Sequence, residues 1–281
     1  MATHYQRQLN HIFNRPTTEP AWYWSDHWEE GIFEDDPLSA FVFIETLLRG
    51  AKTDLSPFSN DQIGLGLTYI FDSACSNLAS DFKAAEVPFE RKVAALRSLF
   101  ALFRDIFNPL CEAKTAAMSQ DKLSPLNYIC YMFWDVSPLA TWIKLINEEQ
   151  MNHSFMALLS ESNFESEYLS EHVLAIMKQE VAQSKVEILT PEAIAVNVQQ
   201  RYQNMDAETK SYYAAIAEVM QQCLGLSNPA CIESGLHGLG HLATFLPDMA
   251  VPIVDGYLKN RKKQPKALVE YAKMARTGMI L

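Results

Sequence analysis

Glycine is scarce here, with 10 residues in 281, and no alternating β-branched runs are joined by Asn-Gly or Asp-Gly turns. An all-β sheet relies on such hairpins, and with strand signals this sparse neither it nor a doubly wound α/β fold is expected. The five cysteines (Cys75, Cys111, Cys130, Cys223, Cys231) form no C-x-x-C pair, which removes a thioredoxin-type redox motif and a zinc-finger spacing. There is no G-x-S-x-G elbow and no G-x-x-x-x-G-K-[ST] phosphate loop. Basic charge is short as well: 23 Lys and Arg stand against 34 Asp and Glu, a net charge of −11. DNA is therefore not an expected partner, since phosphate recognition needs a basic footprint. Long apolar runs are missing too. The least charged stretch, residues 123–143, is broken by Asn127, Asp135, Ser137 and Pro138, which suits a soluble helix-turn-helix better than a lipid-facing span. The first ten residues contain no apolar signal core. Reduced, buried thiols in a cytoplasmic protein, with no membrane partner, are the expectation.

What is present is helical periodicity. Asp36 before Pro37 opens a helix with Phe41, Ile44, Leu47 and Leu48 on one face, which Gly50 is expected to close. A second starts near Ser59 or Asn60 and carries Ile63, Leu67, Ile70, Phe71 and Leu78. A third runs from Pro88 to Pro109 with Phe89, Val93, Leu96, Phe100, Phe103 and Phe107 aligned. Further stripes occur at Leu169–Val181 and at Tyr212–Cys223, the latter with Asp206 as cap and Gly225 as stop. The predicted fold is all-α, built of antiparallel helix pairs in a single domain over 1–281. Residues 1–36 form an aromatic and acidic leading segment, and 37–281 a helical-pair array.

Prolines recur at 88, 125, 191, 229 and 265, several at intervals that fit two helices and a turn. From Pro229 the chain reads P-A-C-I-E-S-G-L-H-G-L-G-H-L-A-T-F-L-P, then D-M-A-V-P-I-V-D-G-Y-L-K-N and K-A-L-V-E-Y-A-K-M-A. This segment resembles HEAT/armadillo-type repeats, and the resemblance implies a short α-α superhelix. The pairing of C-Y-M-F-W-D at 130–135 with H-G-L-G-H also resembles an uncharacterised bacterial family, a resemblance that brings no function with it.

Two constellations carry chemistry. Glu233, His237 and His241 fall at four-residue intervals and so share one helix face, where they can chelate a divalent metal or remain hydrogen-bonded parts of a helix interface. The interface reading is preferred. Asp135, in an apolar stretch, is expected to cap the helix starting at Ser137–Pro138; the alternative is a pairing with a late histidine. Gly235, Gly238 and Gly240 predict close approach of a neighbouring backbone. At the amino end, Trp22, Tyr23, Trp24 and Trp28 precede Glu29, Glu30, Glu34, Asp35 and Asp36. This is the composition of a binding surface, with terminal capping of the helical stack as its structural counterpart. Residues 259–276 are basic and read as a solvated helix.

The expected function is a cytoplasmic interaction module without a cofactor that binds a basic protein through Trp22, Trp24, Trp28, Glu29, Glu30, Asp35 and Asp36, as an immunity or inhibitor protein would. The alternative is a hydrolase holding one divalent metal at Glu233, His237, His241 and Asp135.

Overall fold

The structure is a computed structural model that describes residues 3–24, 36–116, 122–141, 191–260, 264–278 and 280. Among these residues every regular element is helical, as the periodicity predicts. The chain divides into two compact units, 1–142 with 206–281 and 143–205, where the sequence suggested one array over 37–281. In the second unit α7 (Pro191–Asn204) is described, and the Leu169–Val181 stripe lies outside the described residues.

In the first unit, helix starts follow local cap chemistry. The Asp36 carboxylate accepts the Leu38 and Ser39 N–H groups at the start of α2 (Pro37–Asp54). Ser59 makes a capping box with Gln62 for α3 (Asn60–Phe71). The leading segment holds α1 (His4–Phe13), opened by a Thr3–Gln6 capping box. Three expected boundaries differ. Helix α2 runs past Gly50 to Asp54, because Ala51 and Leu55 continue its buried face. Helix α3 stops at Phe71, since the Asp72 carboxylate takes the Ala74 N–H and turns the chain, so Leu78 opens α4 (Leu78–Ala84) instead. Helix α5 (Phe89–Leu102) enters a π-helical turn over Phe103–Phe107, and the chain passes Pro109 before the helix ends at Leu110. Between α2 and α5 the Arg91 guanidinium grips Glu45 with two bonds of 3.1 and 2.7 Å.

The elements that matter for the site are α6 (Pro125–Val136), α8 (Ala207–Cys223), α9 (Pro229–Phe245), α10 (Pro247–Lys259) and α11 (Lys266–Thr277). Helix α9 packs against α6, α8, α10 and α11 and is buried on nearly every face. Its glycines account for this. A methyl at Gly235 would stand 2.8 Å from the Met220 carbonyl oxygen, and one at Gly238 would stand 2.7 Å from the Trp134 ring. The close neighbour is therefore backbone at Gly235 and an aromatic ring at Gly238. Helices α3 and α6 meet in the same manner, where a methyl at Gly64 would run into the Leu126 backbone nitrogen. Cys111, Cys130, Cys223 and Cys231 are buried thiols, and Cys75 is half-buried. No helix among the described residues is long and apolar enough to cross a membrane.

Two glycine substitutions test this packing. Gly64→Ala should destabilise by roughly 1–3 kcal/mol, because the obstructing atoms are backbone and cannot rotate away. Gly256→Ala, in α10 with nothing within 4 Å of the added methyl, should stabilise by about 0.5–1 kcal/mol. Thermal or urea unfolding of both variants measures the contrast, and equal shifts would contradict it.

Candidate metal centre

Helix α9 begins at Asn228, whose side chain accepts the Ala230 N–H while its amide donates to the Asn108 and Cys111 carbonyls. That anchor fixes the rotation of α9, and with it one face carrying Glu233, His237 and His241. Helix α6 starts under a Ser124 cap and stops at Val136, where Pro138 forces Ser137 into extended backbone. Asp135 thereby lies in the last turn of α6, facing α9.

His237 is fully buried, with 0% side-chain exposure, while Asp135 keeps 21% and His241 42%. Nε2 of His237 lies 2.6 Å from Asp135 Oδ2, and His241 Nε2 pairs with Oδ1 of the same carboxylate. The two Nε2 atoms are 3.2 Å apart. On the far side of the ring, His237 Nδ1 is 2.5 Å from the Tyr271 hydroxyl of α11, which is 3.3 Å from the Tyr131 hydroxyl of α6. The Tyr131 ring also packs on His237, with centroids 4.5 Å apart.

Burial raises the pKa of Asp135, but the hydrogen bonds from both histidines outweigh it and hold the carboxyl well below the usual carboxylate range. Burial first, and the Tyr131 hydrogen bond second, push the Tyr271 hydroxyl far up, so it stays a phenol at neutral pH.

One ligand atom from each of Asp135, His237 and His241 lies within 4.8 Å of the others. Ligands about 2 Å from a shared ion stand roughly 2.8–3.4 Å apart, so the nitrogen pair already has a coordinating separation. The carboxylate sits closer because it bonds to both rings.

Glu233 is not part of this group. Buried on the same face of α9, it accepts the Ala116 N–H at 2.5 Å, so its carboxylate is engaged by the loop after α5. Asp135 does not cap the following turn either. Ser137 does so by accepting the Leu139 N–H, which leaves Asp135 for the histidines. Tyr271 and Tyr131 are partners of the site that helical spacing around the histidines does not mark. The available signal was Tyr271 on the apolar stripe of α11 with Leu268 and Ala275, where a buried hydroxyl needs a partner.

Of the amino-terminal candidates, Trp22, Trp24 and Asp36 are among the described residues. Trp22 is buried at 7% exposure against Tyr69, with the Arg15 guanidinium over its ring, so it is not an exposed anchor. Trp24 is 58% exposed, and Asp36 is the cap of α2. Trp28, Glu29, Glu30 and Asp35 lie outside the described residues. No protein-family model, curated protein or solved structure matches the chain.

Truncation separates these roles. Glu233→Ala should cost roughly 1–3 kcal/mol by orphaning the part-buried Ala116 N–H, while leaving metal binding at the neighbouring group intact. Trp22→Ala should cost about 3 kcal/mol as a core truncation. Trp24→Ala should change stability by less than about 0.5 kcal/mol. Denaturant melts, with metal content measured on Glu233→Ala, check all three.

Proposed function

We propose that this protein is a metal-dependent hydrolase with one divalent ion held by Asp135, His237 and His241. The observation that carries the reading is the convergence of two imidazole nitrogens and a carboxylate from two helices onto one point. A structural zinc site is closed by four protein ligands, whereas a catalytic one uses three and keeps a position for water or substrate. The exposure gradient fits the second kind. His237 anchors the group from the buried side, and Asp135 and His241 form its solvent rim. A bound ion would supply Lewis acidity and a lowered pKa for water. The protein's share is to keep a carboxylate oxygen and two imidazole nitrogens gathered at one point.

A second reading, an interaction module for a basic protein of the immunity or inhibitor kind, is supported by the exposed Trp24 ring and the net charge of −11. With Trp22 in the core, it rests on fewer anchors.

Calorimetric titration of chelator-treated protein with zinc or manganese should give one ion per chain, and saturating metal should raise the melting temperature. Asp135→Asn and the double change His237→Ala with His241→Ala should each abolish binding. Metal-loaded protein should cleave chromogenic esters or phosphoesters from a panel, with activity lost on chelation and restored by metal. Absence of stoichiometric binding by the unaltered protein would overturn the proposal.

A further inference from the structure

We propose that Tyr271 is a positioning residue that lets His237 change tautomer, so that its buried Nε2 becomes a metal ligand. The inference rests on the metal-centre reading but concerns a residue outside the ligand set. A neutral imidazole has one N–H and one lone pair. With the ring neutral and no ion bound, the proton belongs on Nε2, which faces the acceptor-only Asp135 Oδ2 at 2.6 Å, and Nδ1 then accepts from the Tyr271 O–H at 2.5 Å. With an ion, Nε2 must offer its lone pair. The ring proton then sits on Nδ1, and Tyr271 Oη becomes the acceptor.

A hydroxyl can play both parts by rotating, which a carboxylate acceptor cannot. The rotated Tyr271 proton also has somewhere to go, because Tyr131 Oη lies 3.3 Å away. The other charged group beside the tyrosines, Glu233, is engaged by the Ala116 N–H. His237 has no exposure, so water does not replace Tyr271. Removing the hydroxyl leaves Nδ1 buried and unpaired in both tautomers, but the metal-bound form then buries an orphaned N–H where the ion-free form buries only an orphaned lone pair, and the ring loses the partner that orients it.

The test uses the full chain, stripped of metal and titrated with zinc and cobalt(II). Tyr271→Phe keeps the ring and should retain one ion per chain with affinity reduced roughly 10–100-fold, the range for loss of an orienting partner. Its cobalt(II) visible spectrum should change in intensity and position, an effect that general destabilisation does not produce. Tyr131→Phe should weaken binding less. In the unaltered protein, nitrogen-15 resonances of His237, assigned by comparison with His237→Ala, should report the proton on Nε2 before zinc and on Nδ1 after it. This second measurement holds whether or not Tyr271→Phe folds. If the unaltered protein binds zinc but His237 keeps one tautomer, or Tyr271→Phe binds within twofold and gives the same cobalt spectrum, this inference fails and the metal centre stands. If the unaltered protein binds no metal, both fail.

Discussion

Helix α9 has to lie inside the first unit with almost no free face while carrying Glu233 and His237. Burial of such groups without partners costs several kcal/mol, so neighbouring elements must supply the partners. They do so by coming close. The three glycines cost about 1 kcal/mol each relative to alanine in a helix. In return Met220, Trp134 and Ile280 pack where side chains would otherwise stand. The contact between Gly238 and Trp134 has a further effect: it sets α6 against α9 so that Asp135, the next residue, meets both histidines. The site is thus a product of the same packing that encloses the helix.

Asp135 is the residue whose position local rules do not explain. A carboxylate in the last turn of a helix faces the negative end of the dipole, a disadvantage of about 0.3–1 kcal/mol. Ser137 performs the capping beside it. A locally unfavourable group held by distant partners is the pattern found where function, more than folding, selects a residue. The net lowering of its pKa despite burial comes from His237 and His241 alone.

Most helix starts could be read from the sequence, because Asp36, Ser59, Asp206 and Asn228 act through bonds to N–H groups two or three residues away. The proline intervals have the same origin. Pro37, Pro125, Pro191, Pro229 and Pro247 open helices, and Pro88 and Pro265 immediately precede them, so helix starts produce the rhythm whether or not the chain is a repeat. The site was legible only in part. Four-residue spacing identified the histidines but also promoted Glu233, which the same geometry offers and the loop carrying Ala116 takes away. Asp135 lies 102 residues from His237, and no local pattern encodes that contact. Trp22 illustrates the same limit: composition leaves a binding surface and a capping role both open, and packing on Tyr69 places the ring in the core.

The donor set also bears on what kind of metal site this would be. Thiolates are the usual closing ligands of structural zinc, and the chain has five cysteines available. None joins the Asp135 group. Cys111 and Cys231 instead make weak contacts to the Leu126 and Phe103 carbonyls, and burial pushes the Cys130 and Cys223 thiols up, against ligation. Two imidazoles and one carboxylate form a harder, less complete set that binds zinc, manganese or iron with positions to spare. With the carboxylate and His241 at the surface and His237 anchored in the core, those spare positions would lie toward solvent, where a substrate can reach them.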